Sequence, residues 1–113
     1  MNGEPAQGPS AQLPASMAKL FDATVAGLGG VERASEGSAV VLRRERRIFA
    51  ALDGGRLEVD LGPTVADAAC RTPDVAASSR GPDWVSFRPA QLDRYAVDRA
   101  IAWIEHAWRR AAG

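Results

Sequence analysis

Histidine and cysteine carry much of protein chemistry, and this chain has one of each, His106 and Cys70. A Cys–His nucleophile pair needs the two within hydrogen-bond reach, and no local signature brings them together. A single cysteine can form neither an internal disulfide nor a cysteine-based zinc site, so Cys70 reads as a small buried hydrophobe. His106 reads as a solvated helix residue. No serine stands in a nucleophile-elbow pattern. Asp60, Asp67, Asp74 and Asp83 are scattered without the spacing of a carboxylate metal site. Gly27-Leu28-Gly29-Gly30 follows a helix and not a strand, which makes it a helix stop and not a phosphate loop. An enzyme would have to assemble its site from Asp83 and His106 near the 72–83 loop. No complete catalytic motif is present, and no cofactor or metal is expected.

Two features point instead to binding. Arg43-Arg44-Glu45-Arg46-Arg47 places four arginines at a hairpin tip. Such a tip can guard a sheet against edge association, or grip phosphate oxygens with guanidinium forks. The second feature is a sheet face predicted to carry Val41, Phe49 and Trp84 near Arg43, Arg47 and Arg88. Aromatics among arginines on a sheet can stack bases and hold phosphates. Glu58 and Asp60 on the same face oppose that use.

Residues 14–28 must form a helix, with Met17, Leu20, Phe21, Thr24, Val25 and Leu28 on one side at helical spacing. Short strands follow: 31–34, 38–43, 47–52 and 56–61. Arg56 to Leu61 alternates cleanly, and Asp53-Gly54-Gly55 before it is a strong hairpin signal. A two-residue loop at Asp53-Gly54 or at Gly54-Gly55 puts Ile48, Ala50 and Leu52 on the side of Leu57, Val59 and Leu61, joined by Val40 and Leu42. Arg47, Phe49 and Ala51 then face away, with Ala39, Val41 and Arg43. Gly62-Pro63 opens a short helix over 64–71. Residues 72–83 read as a loop, since they hold Pro73, Ser78-Ser79, Gly81 and Pro82. Trp84 to Arg88 is a strand with Val85 and Phe87 inward. A final helix over 90–112 carries a stripe through Val97, Ala100, Ile101, Ile104, Trp108 and Ala111. The expected fold is α+β: an antiparallel sheet of four to five strands, helices packed on one face, the other face open.

Composition bounds the function. The chain of 113 residues suits one domain, spanning 13–113, after a disordered tail over 1–12 that is almost free of apolar residues. Fourteen basic residues balance fourteen acidic ones, which argues against a dedicated duplex-DNA binder. No apolar run approaches a membrane span, and the N-terminus lacks the basic and apolar regions of a secretion signal, so cytoplasm is the expectation. Thirteen arginines against one lysine, with abundant alanine, suggest a GC-rich bacterial genome.

The run Ile48-Phe49-Ala50-Ala51-Leu52, Asp53-Gly54-Gly55, Arg56 to Leu61, a short helix, Gly81-Pro82-Asp83-Trp84-Val85-Ser86-Phe87 and a long helix ending Ala107-Trp108-Arg109-Arg110-Ala111 resembles the YjbR/MmcQ-like small proteins. It looks closer still to the related bacterial "luciferase-domain" set, whose name does not denote light emission. The resemblance covers about residues 17–112. It implies an α+β fold with one exposed sheet face, in a largely uncharacterised family for which DNA binding has been suggested. It assigns no catalytic residues. The expected function is a non-enzymatic interaction module that uses the open face, with Val41, Arg43, Arg44, Arg46, Arg47, Phe49, Trp84 and Arg88 as the surface. Its partner would be another protein or a second copy. The alternative is weak single-stranded nucleic-acid binding through the arginine tip with Phe49 and Trp84.

Overall fold

In the computed structural model the described residues are 13–112, so the expected 1–12 tail lies outside them. Three helices and six strands follow in the order α1 (Met17–Ala26), β1 (Val31–Glu36), β2 (Ala39–Arg44), β3 (Arg47–Asp53), β4 (Arg56–Asp60), α2 (Pro63–Ala69), β5 (Val75–Ala77), β6 (Trp84–Phe87) and α3 (Arg94–Ala111). All neighbours in the sheet are antiparallel, in the order β1-β2-β3-β4-β6-β5. The α+β class is as the sequence implies. The sheet has six strands, not four or five, because Val75–Ala77 inside the expected 72–83 loop pairs with β6 as an edge strand. None of the described helices is long and apolar enough to cross a membrane.

Local chemistry sets the helix starts. The Ser16 hydroxyl accepts the Lys19 amide at 3.2 Å, so α1 begins at Met17, later than Pro14 alone suggests. The Asp93 carboxylate caps α3 by accepting the Ala96 amide at 2.9 Å, which moves that helix start from Ala90 to Arg94.

Register makes two faces. Leu42, Ala50, Val59 and Val85 are opposed in one row, and Val40, Leu52, Leu57 and Phe87 in the next. All three helices bury their apolar sides against these rows, through Leu20, Phe21 and Val25 of α1, Ala66 and Ala69 of α2, and Val97, Ala100 and Ile104 of α3. A row Ala34, Val41, Ala51, Glu58, Ser86, Ala76 runs along the opposite face. The core cluster contains none of these six residues.

One irregularity redistributes the expected surface. Leu42 opposes Ala50 while Arg43 opposes Ile48, so β3 carries an extra residue, Phe49. A bulge reverses the face assignment of the residues beyond it. Phe49 therefore turns into the core at 1 % exposure, and Ile48 takes the free face beside Arg43. This reverses the assignment that strict alternation makes for both residues. Arg44 and Arg47 are opposed to one another and lie on the helix side.

Candidate functional site

The expected surface is thus divided. Val41, Arg43 and Trp84 keep to the free face, Arg44, Arg47 and Phe49 leave it, and Arg88 lies just past the end of β6, its amide donating to the Asp74 carbonyl at 3.0 Å. Arg44 is structural: its guanidinium stacks on the Trp108 ring at 3.8 Å and donates to the Trp108 carbonyl at 2.9 Å. That contact holds the end of α3 to the β2–β3 turn. Arg47 reaches Asp60 at 3.6 Å, and Arg110 reaches the same carboxylate at 3.2 Å. Val41, though on the free face, is 1 % exposed. With Phe49 in the core, Trp84 is the one aromatic of the expected stacking pair that remains there.

A cleft on the free face was not legible in the sequence. It has a volume of about 530 Å³, within the range of ligand-binding clefts. Glu36, Ala39, Asp53 and Arg56 line it in order across β1 to β4, with Glu58 and Ser86 in the next row and Ser78, Ser79 and Arg80 from the loop between β5 and β6. The small Ala39 between Glu36 and Asp53 leaves a depression flanked by two carboxylates.

Arg80 organises the site. Its Nε donates to Glu58 at 2.9 Å and its Nη2 to Glu36 at 2.6 Å. Glu58 also accepts the Ser78 hydroxyl at 2.8 Å, and Ser78 in turn accepts the Arg80 amide at 3.1 Å. One side chain thus bridges β1 and β4, which stand three places apart, about 14 Å in a regular sheet. Burial works to lower the Arg80 pKa, but the hydrogen bonds to Glu58 and Glu36 outweigh it and hold the guanidinium above its ordinary range. The Arg80–Glu58 contact is 19 % and 12 % exposed, while Glu36 is 53 % exposed. Glu36 is therefore the loosely held partner. Across the depression Asp53 accepts from Ser38 at 3.1 Å and meets Arg56 at 3.8 Å. Among the described residues the lining is ionic and polar apart from Ala39 and Ala77.

The residues that sequence reading weighed for chemistry lie elsewhere. His106 is half-buried on α3 and shares a hydrogen bond of 3.1 Å with the Leu61 carbonyl, so it is not simply solvated. The small cleft beside it is lined by Leu61, Gly62, Pro63, Thr64, Val65 and Arg110, and includes no carboxylate. Asp83 pairs with Arg110 at 3.6 Å. Cys70, expected in the core, is exposed at the end of α2. Ala66 and Ala69 fill the inward positions of that helix, which leaves Cys70 facing out. Among the described residues, no three His, Cys, Asp or Glu side chains gather closely enough to hold a metal ion.

The β2–β3 turn presents the other notable chemistry. Arg44 opposes Arg47, so Glu45 and Arg46 form a two-residue loop. Both have positive φ, 52° and 71°. That is the type I′ geometry usually given to Asn-Gly, and the left-handed region costs a residue with a Cβ about 1–2 kcal/mol. The β1–β2 and β3–β4 turns place Gly37 and Gly54 at their positive-φ positions. Arg43 and Arg46 form no ion pair among the described residues.

Set beside known proteins, the chain matches no family model, and no curated protein or solved structure matches it.

Proposed function

We propose that this chain is a non-enzymatic binding module that works through the helix-free face of its sheet, with the Glu36–Asp53–Arg80 cleft as the recognition site. The observation that carries this reading is the cleft itself: an open concavity, lined by ionic and hydroxyl groups from four strands and one loop, on the face that no described helix covers. Arg80, fixed from behind by Glu58, gives the cleft a defined shape before any ligand arrives. The preferred partner is a protein segment that carries charge, since exposed large hydrophobic side chains are confined to Leu13 and Tyr95 among the described residues, both away from the cleft. A YjbR-like relationship is part of this proposal, supported by element order and the Trp84–Phe87 strand.

The second reading, weak single-stranded nucleic-acid binding, is favoured by the unpaired Arg43 and Arg46. It retains Trp84 but loses Phe49 to the core and Arg44 to Trp108. One experiment separates the two. Labelled protein is titrated at low salt with a short basic peptide, a short acidic peptide and a mixed single-stranded oligonucleotide, and backbone amide shifts are followed. Movement at Glu36, Asp53, Glu58, Ser78 to Arg80 and Ser86 with a peptide supports the cleft. Movement at Arg43 to Arg46 with the oligonucleotide alone replaces it with the second reading. Amides of the cleft unmoved by all three at millimolar concentration would overturn the proposal.

A further inference from the structure

The free face carries two opposite charge patterns, one at each end. The β2–β3 turn projects Glu45 (−) and Arg46 (+) at one end of the strands, with Arg43 (+) half-buried on β2 behind them and opposed by Glu32 (−) of β1. At the other end, beside the β1–β2 and β3–β4 turns, the cleft is lined by five charged residues: Arg80 (+) and Glu58 (−) are mostly buried against one another, while Glu36 (−), which Arg80 also contacts, Asp53 (−) and Arg56 (+) stand nearer the solvent. Glu36 and Asp53 flank Ala39 on neighbouring strands, and Arg56 is opposed to Asp53. We infer that the cleft docks the β2–β3 arginine turn of a second copy of this chain, so that copies associate head to tail through their free faces. The inference rests on the binding-module reading above and names its partner.

Three observations favour a second copy over another occupant. First, the more exposed groups have opposite signs: Arg46 and Arg43 against Glu36 and Asp53, whose contacts to Arg80 and Arg56 leave them 53 % and 34 % exposed, and Glu45 against Arg56, which is 44 % exposed. Opposed patterns of this kind set partner and register more than they set affinity. Second, both groups of charges belong to a chain with fourteen basic and fourteen acidic residues, so neither sign is in excess. The net charge of such a molecule does not oppose the approach of a second copy. Third, the turn cannot reach its own cleft, because a six-residue strand of about 20 Å separates them. Pairing of these groups is therefore intermolecular. The turn also holds two side-chain-bearing residues, Glu45 and Arg46, at positive φ, where each of the other two hairpins has a single positive-φ residue and makes it glycine.

The contact is heterologous: it uses different surfaces on the two copies and leaves one of each unfilled at the ends. That property gives the test. Sedimentation velocity of the full chain at increasing concentration, in ~20 mM salt, should show a mass that keeps rising past the dimer. In ~300 mM salt the association constant should fall at least tenfold, since the contacts are exposed ion pairs. A turn variant, Arg43→Glu with Arg46→Glu, keeps an intact cleft. A cleft variant, Glu36→Gln with Asp53→Asn, keeps an intact turn. Each alone should remain monomeric, and a 1:1 mixture should form a dimer and stop there, one turn filling one cleft.

The turn variant is exposed and should fold; circular dichroism and thermal melting of both variants check this. Should the cleft variant unfold, the turn variant at low salt still decides the matter. A wild-type chain that stays monomeric, an association indifferent to salt, or a turn variant that associates like the wild type overturns the inference. If peptides nevertheless shift the cleft amides in the titration above, only the identity of the partner has failed. If the cleft is also silent there, the binding-module reading falls with it.

Discussion

The β1–β2 and β3–β4 hairpins turn at one end of the sheet and the β2–β3 hairpin at the other, and the two ends treat charge and backbone in opposite ways. At the cleft end the ionic groups satisfy one another: Arg80 holds Glu58 and Glu36, and Asp53 holds Ser38 and meets Arg56. The backbone there relaxes through Gly37 and Gly54. At the arginine end two non-glycine residues sit at positive φ, and Arg43 and Arg46 are left without ion pairs among the described residues. Charges held in an internal network give a cleft a fixed shape. Charges left free on a strained turn are available to something outside the fold. The proposed docking of turn into cleft rests on this difference.

The largest expected effect tests what divides the arginine end into two sides. Phe49 occupies the core only because of the bulge opposite Leu42 and Arg43. Phe49→Ala should cost about 3–4 kcal/mol, as truncation of a buried phenylalanine usually does. Denaturant unfolding measures it. A loss under about 0.5 kcal/mol would put Phe49 back on the surface, and the arginine end would regain its aromatic.

The next effect contrasts the same substitution at the two ends. Arg80→Met removes a donor from Glu58, a carboxylate that is 12 % exposed and then keeps only the Ser78 hydroxyl. Leaving a mostly buried charge under-satisfied should cost about 2 kcal/mol. Arg46→Met removes an exposed charge with no partner and should change stability by less than about 0.5 kcal/mol. Equal costs at the two ends, read from paired urea unfolding curves, would break the comparison.

Much of this architecture was legible in the sequence. The inward residues of α1 and α3 and the pairing of β3 with β4 follow from periodicity and from Gly54-Gly55, whereas α2, with only seven residues, turns Ala66 inward and leaves Ala68 exposed. What escaped did so for identifiable reasons. Strand β5 is three residues long, too short to show alternation, and it lies between Pro73 and Ser78-Ser79, which read as loop. The bulge at Phe49 leaves no local mark, since Ile48 and Phe49 are both apolar and either can face the core. Arg80 is the clearest case. Its partners stand 22 and 44 residues away, and nothing near it hints that a loop arginine bridges two strands. Sequence pattern reports a residue's own element; the cleft exists only through contacts between elements.

The smallest expected effect is a reciprocal exchange between the ends. Arg46 has φ 71° and Gly54 has φ 64°, so each position asks the backbone for nearly the same conformation. Arg46→Gly relieves about 1–2 kcal/mol of left-handed strain, and the greater freedom of glycine in the unfolded chain takes back roughly 0.5–1 kcal/mol. The net should be a gain of about 0.5–1 kcal/mol, or a few degrees in melting temperature for a domain of this size. Gly54→Arg should lose a similar amount for the mirror-image reason, since open space surrounds that position and only its φ objects. The two variants also separate stability from binding. Arg46→Gly should melt higher yet associate less, because the charge that the strain sustains has gone. A variant that melts higher and associates as well as the wild type would mean that Arg46 serves neither end.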